Sequence, residues 1–122
     1  MSSGKKTVVL GASENPSRYS YLAVRKLLNH GHPVVAIGKK KGKIADTPIE
    51  TEHLAVQDVD TITLYLNPMN QEQYIDYILN LCPRRIIFNP GTENEDLITR
   101  AKENGINPVV ACTLVMLSTG QY

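Results

Sequence analysis

The sequence predicts an α/β fold, a doubly wound parallel sheet with helices on both faces in three layers. Short apolar segments alternate along the chain with segments of helical periodicity, and strands separated by helices favour a parallel sheet. The apolar segments show little polar alternation, which is typical of strands buried on both faces. Because crossovers between parallel strands are right-handed, 3-2-1-4-5-6 is the leading strand order.

The first part of the chain is predicted to hold two strands and one helix. The segment "TVVL" (7–10) is the first strand, and an apolar stripe predicts a helix over 20–30. Gly31 ends this helix, since glycine readily adopts the left-handed conformation past a last turn. "PVVAI" (33–37) is the second strand. The polar connection that follows is expected to include one short edge strand near 48–50.

The middle of the chain is predicted to continue with a strand and a helix. "TITLYL" (61–66) is the strand, and Asn67-Pro68 closes it. An apolar stripe at helical spacing predicts the helix and places Cys82 in the core. The stripe consists of Tyr74, Ile75, Ile78, Leu79 and Cys82.

The last part of the chain is predicted to add two strands around one helix. "RIIF" (85–88) is the first of these strands, and "PVVAC" (108–112) is the second, whose proline favours an edge position or a strand start. Thr92 and Glu95 have the spacing of a capping box for a helix over 93–104. The tail that follows is expected to pack back on the sheet. Its contact residues would be Leu114, Val115 and Leu117.

Length, charge and cysteine content narrow the class of protein. The 122 residues fit a single domain spanning 1–122. The net charge of +1 gives no reason to expect a nucleic-acid or membrane surface. Cys82 and Cys112 lack metal-ligand spacing, and the sequence shows no export signal. We therefore expect a cytoplasmic protein with two free thiols and no metal site.

The loop "GASENPSRYS" (11–20), after the first strand, is the strongest candidate for binding a phosphate. In the predicted topology it lies at the switch point of the sheet, where such folds bind ligands. Gly11 permits a sharp turn, while Ala12 and Ser13 are small enough for backbone amides to approach an anion. The helix amino end, near Ser17 or Ser20, adds a positive dipole, and the Arg18 guanidinium adds a charge that can bind two phosphate oxygens. Capping serines and a solvated arginine would also explain these residues.

The loop after the second strand predicts which phosphorylated ligand is bound. The strand leads into "IGKKKGK", where Gly38 precedes Lys39 and Lys40, and no carboxylate follows before Asp46. An NAD-binding domain usually has an acidic residue here, which accepts from the ribose hydroxyls. Lysines instead suit the 2′-phosphate of NADP or the 3′-phosphate of coenzyme A. A solvated basic loop is the alternative reading.

Two further strand ends contribute amide-bearing residues to the same edge of the sheet. Asn67-Pro68 and Asn89-Pro90-Gly91 could hydrogen-bond a base or a pantetheine amide, although both segments are also ordinary turn formers. Cys112 ends the last predicted strand and could approach the ligand. It has no neighbouring histidine in the sequence, and the three histidines are expected at the surface or near helix ends. No catalytic residue is predicted.

The run "VVLGAS-x-N-x-x-R-x-S-x-x-x-V", Val8 to Val24, resembles the small stand-alone CoA-binding domain proteins. These are Rossmann-like, and similar to the nucleotide-binding domain of the succinyl-CoA synthetase alpha subunit. The resemblance continues through "HGHPVVAIG" (30–38), residues 42–68 and residues 84–113. It therefore implies a Rossmann-like CoA-binding fold over nearly the whole chain.

The resemblance also implies a division of roles among the candidate residues. The CoA phosphates would contact the loop after the first strand. The adenosine and its 3′-phosphate would lie by the loop after the second strand, and the remaining two strand ends would line the path of the adenine or the pantetheine. The residues are Gly11, Ala12, Ser13, Arg18 and Ser20 for the first group, Gly38, Lys39 and Lys40 for the second, and Asn67, Pro68, Asn89, Pro90 and Gly91 for the third, with Cys112 nearby. Many relatives have Asn-Pro where this chain has Gly38-Lys39.

The sequence therefore predicts a coenzyme A or acyl-CoA binding module without catalysis of its own. The synthetase performs its chemistry with a second domain and a histidine loop, neither of which this sequence contains. One alternative is an NADP-binding oxidoreductase or reductase fragment, and another is a structural homo-oligomer with a vestigial groove. The sequence names no protein partner.

Overall fold

The computed structural model describes residues 4–122, which form one seven-stranded sheet flanked by helices. The strands are β1 (Thr7–Leu10), β2 (Val34–Ile37), β3 (Gly42–Ile44), β4 (Thr47–Glu50), β5 (Thr61–Leu64), β6 (Arg85–Phe88) and β7 (Asn107–Val110). The helices are α1 (Tyr19–Asn29), α2 (Pro68–Gln71), α3 (Ile75–Asn80), α4 (Glu95–Glu103) and α5 (Thr113–Ser118), with a 3₁₀ turn at Glu72–Tyr74.

The strand order is β3-β4-β2-β1-β5-β6-β7, and every neighbouring pair is parallel except β3 with β4. This confirms the doubly wound α/β fold and the order of the six predicted strands. The switch point lies between β1, which pairs with β2 on one side, and β5 on the other. The prediction missed β3, which forms an edge hairpin with β4. Its segment "GKI" is short and carries no apolar alternation.

Apolar side chains bury both faces of the sheet. Leu10, Ile62 and Ile86 belong to a core under α3 and α4, whereas Val9 and Ile49 belong to a core under α1 and α5. Strands β1 and β5 are buried along their whole length, as the sequence analysis predicted. Within the described part of the chain, no helix is long and apolar enough to cross a membrane.

The helical segment after β5 is broken, and the predicted core position of Cys82 is wrong. The segment consists of α2, a 3₁₀ turn and α3, and it ends at Asn80. Cys82 lies beyond that end with a positive φ of 49°, and its side chain is exposed. The apolar spacing that included Cys82 had continued past the last helical turn. Tyr74 and Ile78 are buried as predicted.

Helix α4 begins with a different cap from the one predicted. Asn94 is the N-cap, and its side chain accepts from the Leu97 amide. The Thr92 hydroxyl donates instead to the Asn89 carbonyl at 2.7 Å. The predicted capping box at Thr92 is therefore wrong by two residues, because Thr92 closes the turn after β6.

The tail after β7 forms helix α5, which the sequence analysis had described only as a packing segment. Leu117 is buried against the α1 side of the sheet, as predicted, and Leu114 is half-buried. Val115 is 57% exposed, so its predicted core contact is wrong. The helical period turns Val115 away from the sheet while it turns Met116 and Leu117 inward.

Candidate functional site

A cavity of about 800 Å³ opens at the carboxyl ends of the central strands. The loops after β1, β2, β5 and β6 surround it, as expected at the switch point of a doubly wound sheet. Ten of the fourteen candidate residues line it: Gly11, Ala12, Ser13, Arg18, Ser20, Lys39, Lys40, Asn67, Pro90 and Gly91. Four do not: Gly38, Pro68, Asn89 and Cys112.

The turn after β1 is closed by backbone hydrogen bonds. Gly11 has a φ of 95°, and a Cβ there would lie 3.0 Å from the Tyr65 backbone, so a larger residue would be strained. The amides of Gly11 and Ala12 both donate to the Ile37 carbonyl at 2.9 Å. The Ala12 amide, which was predicted to face an anion, instead joins the loop after β1 to β2.

Helix α1 presents an uncapped amino end to the cavity. Arg18 is its N-cap residue and makes no side-chain capping bond, and no acidic residue lies in the first turn. The Ser17 hydroxyl donates to Asn15 Oδ1 at 2.8 Å, so it does not cap the helix. Ser20 is buried within the first turn. The free amides and dipole of this end therefore combine with the Arg18 charge at one place on the cavity wall.

The connection after β2 adds three lysines to the cavity wall: Lys39, Lys40 and Lys41. Gly38 lies behind them, since a Cβ at this position would be 2.2 Å from the Ala12 carbonyl oxygen. The absence of a side chain at Gly38 therefore lets the loop after β2 pack closely against the loop after β1. Among residues 4–122 Arg100 forms an ion pair with Asp96, and neither residue lines the cavity. The lysines and Arg18 therefore make no ion pair within the described residues, although the Glu14 carboxylate lines the same cavity.

The opposite wall is held together by buried amide side chains. Gln71 is fully buried, and its Nε2 donates to the Leu66 and Thr92 carbonyls at 2.8 Å. Its Oε1 accepts from Asn94 Nδ2 at 2.9 Å. These three bonds connect the loop after β5 with the loop after β6, and they fix the backbone that faces the cavity.

Asn67 and Pro68 begin α2 beside this network. The Asn67 side chain caps the helix by accepting from the Asn70 amide at 2.9 Å, and it lines the cavity together with Asn70. Pro68 occupies the first helical turn, where its missing N–H costs no bond. Asn67 therefore both caps the turn into α2 and lines the cavity, whereas Pro68 forms part of the first turn of α2.

Asn89 is a structural junction behind the cavity. Its Nδ2 donates to Thr63 Oγ1 and to the Leu64 carbonyl, both at 2.7 Å. Its Oδ1 accepts from the Thr113 amide at 2.9 Å. Because its side chain is 2% exposed and fully hydrogen-bonded within the protein, it has no polar group left for a ligand. The prediction that Asn89 faces the ligand does not fit this geometry.

Tyr65 is a cavity-lining residue that the sequence analysis did not single out, because it lay inside a predicted strand. Burial raises its pKa to about 12, so the phenol is neutral at physiological pH. Cys112, the N-cap residue of α5, is half-buried and does not line the cavity. No cluster of three potential metal ligands occurs in residues 4–122. The other additions to the lining are Glu14, Asn15, Tyr19, Lys41, Leu66, Asn70 and Thr92.

Comparison with known proteins identifies the class of domain. The family model described as "CoA binding domain" matches residues 5–118. A crystal structure of an uncharacterized protein is 50% identical, with a TM-score of 0.96 over 99% of this chain and 100% of that one. A hypothetical protein from Pyrococcus horikoshii OT3 is 22% identical, with a TM-score of 0.85 over 96% of this chain and 84% of its own.

A protein from Thermus thermophilus has the same fold, with 20% identity and a TM-score of 0.84 over 98% of this chain and 91% of its own. Among curated proteins, none matches the sequence significantly. The similarities extend over nearly the full length of each structure. They place the cavity in a fold that recurs in small proteins of similar size.

Proposed function

Since this chain belongs to the family of CoA binding domains, whose model matches residues 5–118, we propose that it binds coenzyme A or an acyl-CoA in the cavity at the switch point. The observation that carries the proposal is the arrangement of cations. Arg18 and the lysines at 39–41 line one cavity from two different loops and have no ion-pair partner in the described chain. Coenzyme A carries phosphate groups at two separate places, which suits two separate cationic loops.

The first loop suits the pyrophosphate of the ligand. The uncapped amino end of α1 offers backbone N–H donors, and the Arg18 guanidinium can bind two phosphate oxygens at once. Charge-assisted bonds of this kind are about twice as strong as neutral ones. Ser13 and Ser20 lie on the same part of the wall. We assign this place to the pyrophosphate for these reasons.

The second loop suits the phosphate on the ribose. Lys39 and Lys40 are exposed and flexible enough to follow a phosphate that protrudes from the nucleotide. The opposite wall, at Asn67, Pro90 and Gly91, is neutral and offers amide and carbonyl groups to the pantetheine arm. The cavity volume of about 800 Å³ lies within the usual range for small-molecule sites.

We further propose that the module performs no chemistry and acts in the reducing cytoplasm as a carrier, sensor or partner subunit. A nucleophilic Cys112 would require a nearby base, and it lies outside the cavity lining. The NADP-binding alternative uses the same lysines for a 2′-phosphate, and the homo-oligomer alternative requires no ligand at all. Family membership favours coenzyme A over both.

Calorimetric titration with CoA, acetyl-CoA, NADP and NAD distinguishes these functions. We expect heat and thermal stabilisation with a CoA species and weaker binding of NADP. NAD should bind weakest because it has no ribose phosphate for the lysines. Preferential NADP binding with a spectral change in the presence of an acceptor would favour the reductase. The absence of binding to every CoA species would overturn the proposal.

A further inference from the structure

Glu14 is the one carboxylate in a cavity wall that otherwise carries four cations. Its Oε2 accepts a hydrogen bond from the Lys43 amide at 3.0 Å, across 29 residues of sequence. Lys43 lies in β3, the outermost strand of the sheet, which pairs with β4 alone. Glu14 therefore ties the loop before α1 to the edge hairpin, whose other strand, β4, pairs with β2.

Gly42 makes room for this contact. A Cβ at residue 42 would lie 2.4 Å from Glu14 Cδ and 2.8 Å from Glu14 Oε1. The φ of Gly42 is not in the left-handed region, so an L-amino acid fits its backbone. The glycine thus provides space for the Glu14 carboxylate, and its backbone conformation does not require glycine. We call the contacts of Glu14 with Gly42 and Lys43 the Glu14 clasp.

The clasp joins the two cationic loops of the cavity. Residues 39–41 lead directly into β3, and Glu14 lies four residues before Arg18 in the first loop. A bond between Glu14 and the start of β3 therefore limits how far the lysines can move from the amino end of α1. We propose that Glu14 is a positioning residue that holds these loops at the separation required by a ligand with two phosphate sites. This inference rests on the proposed binding of coenzyme A.

Glu14 has two opposing effects on an anionic ligand, and variants separate them. Its negative charge repels phosphate, while its hydrogen bond keeps the lysines in place. Glu14→Gln removes the charge and keeps an oxygen that can accept from the Lys43 amide. Glu14→Ala removes both. Because these two variants have the same net charge, a difference in ligand affinity between them measures the contribution of the Glu14 clasp.

Gly42→Ala breaks the clasp from the other side without changing any charge. The added methyl would displace the Glu14 carboxylate, which is the far end of a flexible side chain. We expect little loss of stability, since a side chain can move where a backbone cannot. The variant is compared with the wild type, which again has the same net charge.

The experiment measures the affinity ratio between CoA and dephospho-CoA, which lacks the 3′-phosphate. We expect Glu14→Gln to retain the wild-type ratio or exceed it. The affinity ratio should be about two- to tenfold lower in Glu14→Ala than in Glu14→Gln, which corresponds to the loss of a typical hydrogen bond. It should fall by a similar factor in Gly42→Ala relative to the wild type. The matched control is Glu93→Ala, which removes a carboxylate that accepts from the Gly91 amide at 2.9 Å in the opposite loop. It should leave the ratio unchanged.

A second measurement tests the clasp without any ligand. Hydrogen exchange at the Lys43 amide should be slow in the wild type and in Glu14→Gln, and faster in Glu14→Ala and Gly42→Ala. If the wild type binds CoA but the ratio stays constant in both clasp variants, the positioning role is wrong and the proposed function stands. If the wild type binds no CoA species, the proposed function fails and the positioning role with it. Fast exchange of the Lys43 amide in the wild type would refute the clasp itself.

Discussion

The two walls of the cavity are built by different means. The cationic wall, formed by the loops at 11–20 and 38–43, has exposed charged side chains. The amide wall, formed by the loops at 66–71 and 89–94, contains buried side chains whose polar groups bond to each other and to the backbone. One wall thus supplies charge, and the other supplies a fixed shape.

This difference separates affinity from stability in the molecule. Exposed charges contribute little to folding, because water solvates them in the unfolded chain as well. Buried amides contribute to folding, because each group left without a partner costs about 1–3 kcal/mol. Substitutions in the cationic wall should therefore weaken binding and leave folding intact. Substitutions of the buried amides behind the other wall should instead lower the stability of the fold.

The largest effect is expected from Asn89→Ala, which removes the side-chain bonds to Thr63, Leu64 and Thr113. Because it leaves buried partners unsatisfied, the free energy of unfolding should fall by about 3 kcal/mol. Urea denaturation measures this loss. The control is Asn104→Ala, whose exposed side chain donates to the Arg100 carbonyl. A loss as small as that of the control would contradict the structural role of Asn89.

The next largest effect is expected from the triple variant Arg18→Ala, Lys39→Ala and Lys40→Ala. Loss of three cations should weaken CoA binding about tenfold to a hundredfold and leave the unfolding midpoint unchanged. Titration at two salt concentrations should show a weaker salt dependence than for the wild type, since fewer charges face the ligand. The control variant removes three exposed cations outside the cavity lining, namely Arg25, Arg84 and Lys102. Unchanged affinity in the first variant would show that the phosphates bind elsewhere.

A smaller effect is expected from Tyr65→Phe, which changes a residue of the cavity lining. The Tyr65 hydroxyl is buried without a hydrogen bond of standard geometry, so its removal should raise the free energy of unfolding by up to about 1 kcal/mol. CoA affinity should stay within twofold of the wild type. Thermal unfolding and calorimetry test both statements, and a loss of stability would show that the hydroxyl has a partner in solution.

The smallest effect is expected at His32, near the amino-terminal end of β1 and remote from both walls. Partial burial lowers its pKa below 6.5, and the positive charges of His30, Lys5 and Arg85 act in the same direction. The unfolded chain therefore binds more protons than the folded chain as the pH falls through this region. The free energy of unfolding should therefore have its full value with respect to His32 above pH 6.5, and it should decline slightly below that pH. His32→Gln should remove this part of the pH dependence, and an undiminished slope would assign it to other groups.

The strand order and the site loops could be predicted because both depend on local patterns. Buried strands such as 61–64 appear as continuous apolar or threonine-rich segments, and the topology then decides which loops share an edge. The role of Asn89 could not be predicted in this way, since its partners lie 24 to 26 residues away in the sequence. The same holds for the contact between Glu14 and Lys43.

Helix ends were less predictable than strand positions. Apolar spacing alone extended one helix to Cys82, because the pattern contains no information on where the chain turns. At α4, Thr92 and Asn94 are both good capping residues, and no local pattern favours the second. The turn after β6 decides between them, since it uses the Thr92 hydroxyl.

The most direct test of CoA binding between the two walls is chemical-shift mapping of backbone amides during a titration with coenzyme A. We expect saturable shifts at residues 13–20 and 38–43, and smaller shifts at 66–71 and 90–92. Amides near His32 and Arg85 at the opposite end of the sheet should not move. Shifts confined to that opposite end, or no saturable shift at any concentration, would contradict the account.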